Sequence, residues 1–101
     1  MKSLPSKKKL FKEMNVIASK YLELTIYPTQ YPTQNLFHNN NFVCKVDHSF
    51  YLQNSLFQEL LNNDFFYQNY PDWWQGVYSK KEYQLMKLMA VTSFLSAFYE
   101  M

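Results

Sequence analysis

A chain of 101 residues with a formal charge of +2, 48% apolar and 20% aromatic, has the size of one domain and enough burial capacity to fold, which excludes a disordered tail and most multidomain enzymes. All ten of its cationic side chains are lysine. It therefore lacks both the strong basic excess usual in nucleic-acid binders and the arginine fork that reads guanine edges and clamps phosphates. The single cysteine, Cys44, rules out an internal disulfide, and the single glycine, Gly76, rules out a glycine-rich phosphate loop.

The first element is a helix over residues 6–24. Leu10, Met14, Ile17, Tyr21 and Leu24 recur at three-four spacing, with Phe11, Ala18 and Leu22 beside them. Ser3 or Ser6 is placed to cap it, Pro5 is tolerated in a first turn, and residues 1–6 are expected to fray. Lys7, Lys8 and Lys9 sit unfavourably at the positive end of the helix dipole.

Residues 25–41 break the pattern, and no helix is expected to run through them. Tyr27-Pro28-Thr29-Gln30 is repeated at once as Tyr31-Pro32-Thr33-Gln34, and Asn39-Asn40-Asn41 follows. Residues before proline are pushed toward extended geometry, so this reads as a proline-marked crossover. Phe42, Cys44 and Val46 alternate with Val43 and Lys45, the period of a short strand that would pair with residues 24–27 in a minor two-stranded element.

A second helix is expected over 49–62. Asp47 or Ser49 would cap it, Phe50, Leu52, Leu56, Phe57, Leu60 and Leu61 would form its apolar face, and Asn62-Asn63 would stop it. Residues 64–78 then hold seven aromatics: Phe65, Phe66, Tyr67, Tyr70, Trp73, Trp74 and Tyr78. Asp72 could cap one helical turn through the tryptophans, with Gly76 ending it. Asp64 and Asp72 read as helix caps rather than as an acid–base pair.

Ser79 and Glu82 have capping-box spacing and open a long last helix over 79–100. On its wheel Tyr83, Met86, Ala90, Phe94 and Ala97 make one apolar face and Leu88, Val91, Leu95, Phe98 and Tyr99 a second, separated only by Lys87. Together they span roughly 220°, about twice the stripe that a surface helix needs. Two arrangements cover such an arc: the helix is central to the fold, or part of the arc meets a second copy of the chain or a larger protein. The apolar run at 88–99, about twelve residues, falls short of the roughly twenty that span a bilayer.

The fold class expected is thus mainly α, a single three-helix domain over 1–101. Tyr70, Trp73, Trp74 and Tyr78 are the candidate partner surface, because tryptophan and tyrosine bring large contact area with few rotors and a polar tip. Being adjacent, Trp73 and Trp74 cannot point the same way from a helix or strand. Leu88, Val91, Leu95 and Phe98 are the candidates for self-association. Lys7, Lys8, Lys9, Lys80 and Lys81 are the phosphate-facing set if the partner is a nucleic acid. Cys44, Asp47, His48 and His38 lack the paired spacing of a zinc site, so neither metal, cofactor nor catalysis is expected. Lys12 and Glu13 interrupt the apolar run that an export signal would need, so the expected location is cytoplasmic. The role that fits is a non-enzymatic regulator or inhibitor of a larger macromolecule. Nine Asn, seven Gln and ten Lys match A/T-rich coding of the kind found in phages and mobile elements.

Overall fold

The computed structural model describes residues 6–26, 36–68 and 70–100, with 26 and 36–40 described by their backbone alone. It is mainly helical. In chain order α1 is Lys7–Ile26, α2 Leu36–Tyr51 and α3 Ser55–Leu61, which runs into a π-helical turn at Asn62–Phe66, and α4 is Lys80–Tyr99.

α1 follows its spacing: Met14, Ile17 and Ala18 are buried, with Leu10, Phe11 and Tyr21 packed beside them. Ser6 caps it, its Oγ accepting the Lys9 N–H at 3.2 Å, so Ser6 is an ordered cap and not part of a frayed end. Ser3, Pro5 and the tandem Tyr-Pro-Thr-Gln repeat lie outside the described residues.

The strand expected at 42–46 is helix instead, and the same helix takes in residues 36–41 of the expected crossover. Phe42 packs on the core, Val46 and Ser49 are buried, and Phe50 packs beside them, which is the four-seven-eight spacing of one helical face. The alternation of Phe42, Cys44 and Val46 was incidental to that spacing, and Cys44 is exposed. Residues 24–26, its expected strand partner, belong to α1, and the described residues form no strand.

The helix expected over 49–62 is in fact two pieces, so the described residues form four α-helices and not three. α2 already contains Asp47 and Ser49 and ends at Tyr51. α3 starts after Asn54, whose side chain accepts the Phe57 N–H at 2.8 Å. At the junction, glutamine amides serve backbone carbonyls at the end of α2 and just beyond it: Gln53 Nε2 donates to the Ser49 carbonyl at 3.0 Å, and Gln58 Nε2 to those of Phe50 and Gln53 at 3.3 and 3.0 Å.

Asn62-Asn63 does not stop the chain either. The Tyr67 N–H reaches the Asn62 carbonyl at 2.8 Å, an i→i+5 bond. Buried Leu60 and Leu61 are followed on the inner face by Phe65 and Phe66, five residues on rather than four. The widened turn leaves Asp64 at the margin of the core. Gln68 closes it at φ 54°.

The capping box of α4 is formed as the sequence predicts: Glu82 N–H donates to Ser79 Oγ at 3.1 Å and Ser79 N–H to Glu82 Oε1 at 2.8 Å. α4 is the central helix, with α1, α2 and α3 all packed against it. Ala90, Val91, Phe94, Leu95 and Phe98 are buried. The broad apolar arc is therefore largely covered from within, with Tyr99 its exposed member; Leu85 and Met89, outside the arc, are also exposed. No helix among the described residues is long and apolar enough to cross a membrane.

Ser79→Ala should lower stability by about 1 kcal/mol. Phe94→Ala, which empties the largest fully enclosed site, should cost about 3–5 kcal/mol. Urea unfolding checks both, with the midpoint falling and the slope unchanged.

Candidate interaction surface

Residues 70–78 form a chain of turns. The Trp73 N–H donates to the Tyr70 carbonyl, Gln75 N–H to Asp72, and both Val77 and Tyr78 N–H to Trp74, all at 3.0–3.2 Å. Gly76, at φ 85°, supplies the left-handed residue that turns the segment toward α4. Asp72 does not cap a helix; its carboxylate accepts the Gln75 side-chain amide at 3.2 Å.

What fixes this loop is Asp64, whose side chain is only 4% exposed. It is not a helix cap. Its Oδ1 accepts the Trp73 indole N–H at 3.0 Å and its Oδ2 the Tyr83 hydroxyl, while the Lys87 ammonium stands 3.7 Å away. A carboxylate taken out of water is tolerable only when it is met in this way by donors and a counter-ion. Lys87 also lies 5.1 Å from the ring centroid of Phe11 and 5.2 Å from that of Phe65, so α1 joins the same cluster. A lone lysine inside an apolar arc and an aspartate heading an aromatic run were the two sequence signals for this pair.

Both tryptophans lean on Tyr83. Trp74 stacks on it at 4.4 Å and 8°, and Trp73 meets it edge-on at 6.2 Å while also touching Tyr78 at 6.3 Å. The divergence expected of neighbouring residues in a helix or strand does not arise, because the segment is a turn. Trp73, Trp74 and Tyr78 are half-buried, whereas Tyr70 is 68% and Val77 71% exposed. The loop thus presents Tyr70 and Val77 outward on a tryptophan base that is anchored from below.

Of the residues considered for self-association, Val91, Leu95 and Phe98 are core of the single chain. Leu88 is half-buried. Leu88 and the edge of Leu95 border a groove of about 580 Å³ between α1 and α4, floored also by Leu10 and Tyr99 and rimmed by Lys7, Glu13 and Glu100. Lys7, Lys8, Lys9, Lys80 and Lys81 are all exposed, at the first turns of α1 and α4. Cys44 and His48 are exposed, the His38 side chain lies outside the described residues, and no group of three metal-ligating side chains gathers among those described.

Burial, reinforced by the hydrogen bond to Asp64 and its charge, pushes the Tyr83 hydroxyl well above the usual tyrosine range. Tyr21 is raised in the same way by burial and then by Asp47. No protein-family model, curated protein or solved structure matches the chain.

Asp64→Ala should cost about 3 kcal/mol and change the tryptophan emission, because it strands an indole N–H, a phenol and an ammonium together. An alkaline titration tests the two tyrosines. Unfolded tyrosines ionise near pH 10 while folded Tyr21 and Tyr83 keep their protons, so the stability they contribute is complete below about pH 10 and declines as pH rises beyond it. In tyrosinate absorbance they should titrate last, and Tyr83→Phe should remove one of the lagging groups.

Proposed function

We propose that the protein is a small non-enzymatic interaction module, a regulator or inhibitor that lays the aromatic loop at 70–78 against a larger protein. The observation that carries this reading is the anchoring of the loop. Trp73 is held by Asp64 and Trp74 is stacked on Tyr83, so the backbone that carries Tyr70 and Val77 has little freedom left to lose on binding. Rigid aromatic anchors bordered by apolar area are the composition and geometry of binding hot spots. The small size and A/T-rich style of coding fit an accessory protein of a phage or mobile element, and a cytoplasmic setting suits the lone free thiol.

A second reading, nucleic-acid binding, draws on the exposure of Lys7, Lys8, Lys9, Lys80 and Lys81, none of which is in an ion pair with a described residue. Three of the other lysines, Lys20, Lys45 and Lys87, rest on aromatic rings of the protein itself, which leaves a modest outward positive field.

The two readings separate experimentally. Tyr70→Ala combined with Val77→Asp alters only exposed side chains, so it should leave the helical circular dichroism unchanged while weakening capture of a protein partner by about tenfold or more. Replacing Lys7, Lys8 and Lys9 by alanine should leave that capture intact. Retention on single-stranded DNA that falls steeply with added salt and disappears with the lysines would instead favour the second reading. Capture that is indifferent to Tyr70 and Val77 would remove the loop from the binding surface.

A further inference from the structure

On another part of the molecule a pocket of about 140 Å³ lies between α1, α2 and the π-helical turn, several times the roughly 30 Å³ that a water occupies in the liquid. Its lining includes Tyr21, Asp47, Phe50, Tyr51, Phe66 and Tyr67. Four of these rings follow one another at near right angles: Tyr21 to Phe66 at 84°, Phe66 to Phe50 at 86°, and Phe50 to Tyr51 at 87°, with centroids 5.5–5.9 Å apart. Edge-to-face contacts of this kind hold the rings in fixed orientations beside the pocket. Into it comes one half-buried carboxylate. Asp47 Oδ1 accepts the Tyr21 hydroxyl at 2.6 Å, and no lysine or histidine among the described residues forms an ion pair with Asp47.

The same chain shows what this combination of groups holds. At Asp64 a carboxylate takes a tyrosine hydroxyl, and an ammonium, that of Lys87, stands beside it at 3.7 Å while lying 5.1, 5.2 and 5.7 Å from the rings of Phe11, Phe65 and Tyr83. Around Asp47 the carboxylate, the tyrosine hydroxyl and the rings recur, with a pocket in the place of the lysine. We propose that this pocket binds an alkylated ammonium group, a quaternary or methylated amine, with Asp47 as counter-charge and the rings of Tyr21, Tyr51 and Tyr67 as cation–π walls.

The lining selects among cations. A metal ion needs several oxygen ligands, and no three metal-ligating side chains gather among the described residues. Lys87 is delivered to its site by the chain itself, whereas a free bare ammonium must shed a strong hydration shell that Asp47, Asn62 and the tyrosine hydroxyls replace only in part. Methyl groups spread the charge over an apolar surface that aromatic walls accept. The inference is independent of the proposed function, since the pocket contains none of Tyr70, Trp73, Trp74 or Tyr78.

The test is an NMR titration of the whole chain, following the Tyr21, Tyr51 and Tyr67 ring signals. The probes are tetramethylammonium, choline, a short peptide carrying trimethyllysine, and the neutral choline isostere 3,3-dimethylbutanol, with sodium chloride matching ionic strength. Saturable shifts at these rings with a cationic probe are expected, and the neutral isostere should bind about tenfold more weakly or worse. Choline and tetramethylammonium binding ahead of the peptide identifies a free small molecule as the ligand type; the peptide binding ahead identifies a modified protein tail. Asp47→Asn and Tyr51→Ala should each weaken binding by about tenfold. Tyr51 is 73% exposed, so its truncation leaves the fold in place and keeps the test valid if Asp47→Asn unfolds. Absence of saturable shifts, equal binding of the neutral isostere or of ammonium chloride, or a Tyr51→Ala variant that binds like the parent would each overturn the proposal.

Discussion

A negative charge held almost out of water organises this protein. Asp64 is tolerated at the edge of the core because an indole, a phenol and an ammonium converge on it. Those three groups come from the aromatic loop and from two successive turns of α4. Lys87 carries the connection on to Phe11 of α1. One carboxylate thus ties the π-helical turn, the loop, the central helix and the first helix together. It also sets the posture of both tryptophans, since Trp73 is bonded to it directly and Trp74 stacks on the tyrosine that is.

The widened turn makes this arrangement accessible. With the ordinary helical repeat, Asp64 would follow Leu60 onto the inner face of the core. A five-residue repeat puts Phe65 and Phe66 there instead and moves the carboxylate to a place where polar partners reach it. The rest of the core shows a related economy. Aromatic rings fill the interior, and lysine ammonium groups close their outer faces: Lys20 over Phe42 and Lys45 over Phe98 at 4.7 and 4.5 Å. Such contacts let a chain with few valines and isoleucines seal its core against solvent.

The features legible in the sequence were those written locally. Ser79 and Glu82 lie three residues apart and meet across one turn; Leu10, Met14 and Ile17 declare a face without reference to any other segment. The central position of α4 followed from the breadth of its apolar arc, one of the two arrangements that could cover it. What was not legible depended on competition between local patterns or on distant partners. Residues 42–46 satisfy both a strand alternation and a helical four-residue step, and burial against Phe98 decided for helix. Asn62-Asn63 resembles a stop, but two buried phenylalanines downstream draw the chain onward. Asp64 was read as a cap because its true partners are nine, nineteen and twenty-three residues away in sequence, where no local rule reaches.

The end of α2 bears on how the protein ages. Its terminal carbonyls are met by the amide groups of Gln53 and Gln58, which can donate; a glutamate in either place offers only acceptors at neutral pH. Spontaneous deamidation at these two positions would therefore set oxygen against oxygen at the negative end of a helix dipole. The junction between α2 and α3 is thus a point at which slow chemical change would weaken the structure without touching the aromatic interior.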